Sequence, residues 1–543
     1  MFRSTRAAAL ALPFLLCLCP TSTLSQQKDE AFYESVDVSV VNIEVFVTDG
    51  DGKRVTGLTR DDFEVYEDGK KVEVSYFYAS EGTKTRRLIA GTPEAEAERL
   101  QLAVYFDLQS LPRYARPKLM GAVEDFLVAR AQPGEKALIA SYNGADSLRV
   151  RHVSMERQAL SAVLQEIAAI RGLNPSGSAD AGDIAVQSIS DPGGGNSDLS
   201  AGMADLEAQE AAFNEDVGRL LKRADAKVAF DALTVFLEGL GSLPGRKALV
   251  YVGGGVTFSP GQSVFNALYR KYGGTLDETS IRPLERRMEE AVNSDRILFY
   301  ALGARPNRDK GVLSLATATI QDLGSGGGFV DLNSDRVDAT PEVSLAWVDE
   351  DIDSYYSLGF TPATGRKPGK THDVEVKVKL PGLRVRHVEE YRDRTPRDRA
   401  HNQTLAALLF GGDATGNPLG ARLEVGRAEA GKGKQVTVPI TVKFPLSRMT
   451  LLPREGAWEG RLSLFLAARD ADGRMSEITE LLLPMRLKAQ AAPGQPASYT
   501  TRMALRDAHQ TIVLGIRDEL GNTVSTVTAP YVPEAPAAAG ERR

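Results

Sequence analysis

Cysteine is nearly absent. Cys17 and Cys19 are the only two in 543 residues, and both fall in an amino-terminal stretch that reads as a leader. Once that stretch is removed the chain carries no thiol, which excludes disulfides, thiolate metal sites and cysteine nucleophiles together. Histidine is sparse as well. His152, His372, His387, His401 and His509 are the full set, and none pair at metal-ligand spacing. His372 and His387 fall in expected strands, where an exposed or cross-strand role outweighs catalysis. No Gly-x-Ser-x-Gly elbow occurs, so a serine triad has no anchor. The run Gly253 to Gly261 follows an apolar strand but lacks the Gly-Lys-Ser/Thr ending of a phosphate loop. An excess of one charge is also missing. The formal charge is −7, from 65 Lys+Arg and 72 Asp+Glu, which gives no electrostatic reason to expect nucleic acid or an anionic membrane as partner.

Residues 1–25 have the order of a secretory signal peptide. Arg3 and Arg6 precede an apolar run from Ala7 to Leu18, and Thr23 and Ser25 supply small residues for cleavage after Ser25. The apolar run is short for a span, and no later stretch approaches about 18 unbroken apolar residues. The mature chain is therefore expected to lack a transmembrane segment and to be exported, periplasmic or secreted. Lipid attachment at Cys17 or Cys19 would want a small residue before the cysteine, where Leu16 and Leu18 stand.

The length suggests two to four domains. Val36–Thr48 alternates apolar and polar residues as a half-buried strand does. Phe63–Glu67 and Lys71–Phe77 read as a hairpin joined at Asp68-Gly69. From Arg99 the pattern changes. Leu102–Phe106, Lys136–Ser141, Lys247–Val252 and Arg296–Leu302 are short, continuously apolar strands. Helical periodicity lies between them at Pro117–Ala131, Gln158–Ile170 and Leu284–Asn293. This alternation predicts a parallel sheet covered on both faces. Gly172–Ala201 is rich in Gly, Ser, Asn, Asp and Pro and reads as a loop, followed by a long helical stretch to Leu240. The phase returns to strands at Ser354–Phe360, His372–Lys379 and Leu383–Val388. A charged link, Arg392–Arg399, leads into a β-rich block from about Thr404 to Val532.

Three segments stand out: Val55–Gly69 within an opening block Val38–Phe77, Pro244–Val252 with its basic lead-in, and Tyr355–Pro362 followed by Val374–Tyr391. In this order they resemble the acidobacterial-type von Willebrand factor A-related (VWFA) domain proteins. The resemblance covers roughly residues 35 to 392. It implies an α/β Rossmann-like von Willebrand A-type domain with a ligand site at the carboxyl ends of its strands, as the rule for open parallel sheets also expects. Such rims normally hold a metal-ion-dependent adhesion site built on Asp-x-Ser-x-Ser, a Thr and a later Asp. Here Asp107 fits the first position, but Gln109 and Leu111 replace the serines, and Gly253, Gly254 and Gly255 stand where the later Asp belongs. Asp107 is the one plausible metal ligand of the set. One carboxylate with an amide and a hydroxyl is a poor cage for Mg²⁺ or Ca²⁺, and the plainer expectation is that Asp107 bonds nearby backbone donors.

The expected organisation is therefore a signal peptide (1–25), a discontinuous β-sandwich (34–85 with 354–392), and an α/β domain (98–345) with a loop and helix insertion (172–240). An immunoglobulin-like β-sandwich (402–532) and a disordered tail (533–543) follow. The turns Asp49-Gly-Asp-Gly and Asp470-Ala-Asp-Gly are expected to be hairpin turns and not calcium loops, and Asp349–Asp353 a solvated helix end. The expected function is a non-catalytic exported binding or scaffold protein for a protein or cell-envelope component, with no cofactor beyond a weak Mg²⁺ or Ca²⁺. Its rim would be formed by Asp107, Gln109, Ser110 and Gly253–Gly255. The alternatives are a metal-dependent adhesin with a degenerate site and an exported hydrolase with an unrecognised one.

Overall fold

Successive side chains of a strand face opposite ways, so a strand that is apolar throughout needs cover on both sides. In the computed structural model, Leu100–Asp107, Lys136–Tyr142, Arg246–Gly253 and Ile297–Gly303 meet this need in one six-stranded sheet. Its order is Phe329–Asp331, Ile297–Gly303, Arg246–Gly253, Leu100–Asp107, Lys136–Tyr142, Leu148–Ser154. All neighbours run parallel except the last pair, which is antiparallel. Ala103, Tyr105, Leu249, Tyr251 and Phe299 face one core, and Leu102, Val104, Phe106, Val250 and Tyr300 face the other. Helices Arg116–Ala129, Arg157–Ala169 and Pro341–Asp353 cover the second face. The helical residues 231–241 and the helix Arg282–Ser294 cover the first.

The structure describes residues 40–82, 92–111, 113–132, 134–144, 148–170, 229, 231–253, 282–303, 329–331, 340–362, 368–411, 416–431 and 435–533. The leader with both cysteines, the Gly172–Ala201 stretch, most of the helical stretch after it, Gly254, Gly255 and the tail beyond 533 lie outside them.

Residues 41–81 and 354–392 share two antiparallel sheets. One is ordered Arg384–His387, Val41–Thr48, Ser354–Phe360, Val74–Glu81, and the other Glu390–Arg392, Thr371–Val378, Phe63–Glu67, Lys70–Val72. Val45, Val65, Leu358, Phe360 and Val376 form the core they enclose. Asp68 and Gly69 turn the hairpin with φ of 48° and 73°, the left-handed pair that a two-residue connection wants. His372 Nδ1 lies 2.9 Å from Asp68 Oδ2, and His387 Nε2 accepts from the Val376 amide, so both histidines work across strands. The carboxyl-terminal block builds two further antiparallel sheets around Val438, Ile440, Leu464, Ile512 and Leu514. The chain is thus a multidomain α/β protein with a mixed, mostly parallel sheet and several antiparallel ones.

Three sequence expectations are corrected. Leu148–Ser154, assigned to no element, is an edge strand; its Arg149, Arg151 and His152 hide the apolar contribution of Leu148 and Val153. The stretch read as a charged link running into β structure is the helix Pro396–Phe410. Thr395 and Asp398 close a capping box around Pro396, through Oγ1 accepting from the Asp398 amide at 3.0 Å and Oδ2 from the Thr395 amide at 3.1 Å. This helix is apolar on two sides. Leu405, Leu409 and Phe410 join the first core of the parallel sheet, and Ala407 and Leu408 pack on Ala467 and Val513 of the carboxyl-terminal sheet. The third correction is the acidic helix end. Asp351 is fully buried, with Tyr300 Oη donating at 2.6 Å and the guanidinium groups of Arg54 and Arg386 paired to it. Asp349 and Asp353 both engage Arg130.

Candidate functional site

Because the strands are parallel, their carboxyl ends gather on one rim, and the loop after Leu100–Asp107 brings Asp107, Gln109 and Ser110 there. Asp107 is buried, at 4% exposure. Its Oδ1 accepts from the amides of Gln109 (3.2 Å) and Ser110 (3.3 Å). Its Oδ2 accepts from Ser110 Oγ (2.7 Å) and Tyr251 Oη (2.8 Å). Burial pushes the carboxyl above its usual range, and the bonds from Ser110 and Tyr251 pull only partly the other way. Burial and the neighbouring Asp107 charge likewise hold Tyr251 protonated, well above the ordinary phenol range. A carboxylate enclosed by four donors has no face left for a cation. Among the described residues no group of three or more His, Cys, Asp or Glu is placed to hold a metal. The residues present therefore do not fit the adhesion-site cation that the resemblance implies.

Of the other rim residues, Gln109 keeps its Oε1 buried without a hydrogen-bond partner among the described residues. Gly253 ends its strand on the same face as Tyr251. A Cβ there would lie 2.5 Å from Tyr251 Oη, so glycine is what lets the phenol reach Asp107. Gly254 and Gly255 fall outside the described residues. The sequence reading missed Tyr251 as a site residue. A tyrosine in a strand covered on both faces must find its hydroxyl a partner, and that signal was available. Tyr114, in the loop between Asp107 and the helix Arg116–Ala129, is 74% exposed.

Behind the rim, Arg116 is buried and ties this loop to the next helix. Its Nη2 donates to the Leu108 carbonyl at 2.9 Å and its Nη1 to that of Ile170 at 2.6 Å. Where the central strand begins, Arg246 is buried against Glu44 (Nε to Oε1, 3.0 Å), with its guanidinium carbon 3.4 Å from the Tyr355 ring centroid. Burial alone would raise the Glu44 carboxyl, but Arg246 and Arg296 outweigh it and hold it below its usual range. The basic lead-in noted in the sequence is thus internal, and belongs to the seam between the parallel sheet and the strand Val41–Thr48.

The fold and rim together define the class: a multidomain α/β protein with a hydrogen-bonded acid at its strand tips. No family matches the chain's sequence, and no curated protein matches it. Solved structures give slight likenesses. The human COPII-coat protein Sec24c is 10% identical, over 56% of this chain and 46% of that one, with a TM-score of 0.22. The structural-genomics target SoR45 is 12% identical over 24% of this chain and 96% of that one, with a TM-score of 0.16. A Bacteroides uniformis beta-glucuronidase is 9% identical over 33% of this chain and 19% of that one, with a TM-score of 0.15. At these scores none bears on what this chain does.

Proposed function

We propose that this chain is an exported, non-catalytic binding or scaffold protein. Its α/β layer is of von Willebrand A type, flanked by β-sandwich units of which the carboxyl-terminal one is immunoglobulin-like. The partner is a protein or cell-envelope component, held at the carboxyl ends of the parallel strands. The observation that carries the reading is the division of labour at that rim. Asp107 is spent on internal hydrogen bonds, while Tyr114, further along the loop that follows it, stands in solvent. A rigid exposed aromatic is a common anchor of protein interfaces.

Calorimetric titration of the mature chain with Mg²⁺, Mn²⁺ and Ca²⁺ is expected to give no binding. Binding that vanishes in Asp107→Ala would favour the metal-dependent adhesin instead. Affinity capture from the native envelope, comparing the wild type with Tyr114→Ala and Gln109→Arg, is expected to lose its specific partner with the rim variants. Capture that both variants leave unchanged would remove the rim from the reading. Mass spectrometry of the exported chain is expected to place the new amino terminus after Ser25.

A further inference from the structure

At the opposite end of the parallel strands from Asp107, the described residues line a partly open cavity of about 350 Å³. Its walls come from the strand Val41–Thr48, from the segment 293–298 that joins a helix to the next strand, and from residues around 390–403 that lead into the helix Pro396–Phe410. Lys247, on this wall, is only 5% exposed. Its Nζ donates to the Asp295 carbonyl oxygen at 2.9 Å, its one hydrogen bond among the described residues, although an ammonium has three protons to give.

The neighbouring cations are balanced. Arg296 has Glu44 at 3.3 Å and Glu98 at 3.4 Å, Arg394 is paired with Asp295, and Arg392 at 2.5 Å with Glu290. Lys247 has no carboxylate at ion-pair distance among the described residues. Burial, then repulsion from Arg296 and Arg394, brings its pKa down to about 8, against the pull of Asp295 and Glu44. Two more donors on this wall, Arg296 Nε and Arg392 Nε, are buried with no acceptor among the described residues. Arg296 itself holds φ at 56°, a left-handed conformation that a side chain adopts only when its surroundings enforce it.

We propose that this cavity binds a small oxyanion, the carboxylate or phosphate of a compact metabolite, with the Lys247 ammonium as its counter-ion. The anion would supply the charge that Lys247 lacks and acceptors for the guanidinium donors. A cavity of this size lies at the small end of ligand sites, which favours a ligand of few atoms over a chain segment. The charged groups facing Lys247 are Glu44 on the strand Val41–Thr48 of the adjoining antiparallel sheet, Asp295 and Arg296 after the helix Arg282–Ser294, and Arg394 ahead of the helix Pro396–Phe410. Further along the wall Glu390, Arg392, Asp393 and Arg399 carry charge and Tyr391 a phenol, whereas Gly241 and Ser242 add none.

The test is calorimetry on the full mature chain at constant ionic strength, with inorganic phosphate and succinate as separate probes, so that the stronger arm identifies the anion class. Succinate stays fully ionised from neutrality upward, so any loss of its binding with pH belongs to the protein. Wild-type affinity is expected to fall about tenfold for each pH unit above about 8. Lys247→Met should lose binding, and Lys247→Arg, charged at every pH used, should keep it into the alkaline range. The proposal is overturned if neither probe binds the wild type, if its affinity is flat across this range, or if Lys247→Met binds as well as the wild type. Should the variants fail to fold, the wild-type pH profile alone decides.

Discussion

Tyr251 stands beside Tyr105 on the neighbouring parallel strand, and its hydroxyl reaches one same-face position further to donate to Asp107 Oδ2 at 2.8 Å. The rim acid is therefore held from the side by a second strand as well as by its own loop. Tyr251→Phe removes one of four donors from a buried carboxylate and is expected to cost about 2 kcal/mol, read as a shift of the urea midpoint at constant slope. No measurable shift would mean that the contact adds nothing to stability.

Asp107 also sets a sign for pH. Its folded pKa is raised above the unfolded value, so in the window between the two the native state binds more protons than the unfolded one. Stability then falls as pH rises through that window. Asp107→Asn lacks the titration and is expected to show a flatter dependence of its urea midpoint on pH from the ordinary aspartate pKa upward. Parallel curves for variant and wild type would refute the assignment.

The seam between the parallel sheet and the strand Val41–Thr48 predicts the opposite sign. Glu44 is held below its usual pKa by Arg246 and Arg296, against the opposing effect of burial. Its contribution is present at neutral pH and is lost as pH falls through the depressed folded value. Glu44→Gln leaves Arg246 buried without its carboxylate, at a cost of about 3–5 kcal/mol at neutrality. In acid the gap from the wild type should narrow. A cost that stays constant with pH would show that packing, not charge, is lost.

Asp351 is the acid on which Arg54, Arg386 and Tyr300 converge. Asp351→Ala takes the buried acid away from two guanidinium groups and a buried phenol, and is expected to cost at least about 3 kcal/mol. Asp353→Ala, whose carboxylate is 47% exposed beside Arg130, should cost under about 1 kcal/mol. Equal effects in thermal or urea unfolding would contradict the contrast drawn between these two helix residues.

The helix Pro396–Phe410 makes the fourth relationship testable. A Cβ on Gly515 would sit 1.9 Å from Thr404 Oγ1, and one on Gly239 would sit 2.6 Å from Leu409 Cδ1. Gly515→Ala should push the helix off its sheet and destabilise the protein by about 1–3 kcal/mol. For the same reason a fragment of residues 98–345, which omits Leu405, Leu409 and Phe410, exposes part of the first core. It is expected to bind apolar dyes and melt less cooperatively than the full mature chain. A sharp transition from that fragment would show that the helix is dispensable to the layer.

Much of this was legible in the sequence. Continuous apolar runs announced the strands at Leu100–Asp107, Lys136–Tyr142, Arg246–Gly253 and Ile297–Gly303, because a strand covered on both sides has no polar face to show. Strict alternation announced Thr371–Val378. Asp68-Gly69 announced its turn through the backbone conformation it tolerates. Asp107 was legible as a residue at a strand tip, and the missing second acid was legible at Gly253. The helix Pro396–Phe410 carried its start signal in Thr395-Pro396 and Asp398, but its charged first turn and its two apolar sides gave no single stripe to read.

What the sequence determined by itself is local: where the backbone extends, coils or turns, and which residues want burial. Only the tertiary structure decided the fate of the charges. Asp351 lies 297 residues from Arg54, and Glu44 lies 202 from Arg246. An acidic or basic residue reads the same whether it meets water or a distant partner. Its burial, its pKa and its use are fixed only when folding sets the loss of hydration against a counter-charge brought to within a few ångströms, a balance that charge wins at Glu44 and burial wins at Asp107.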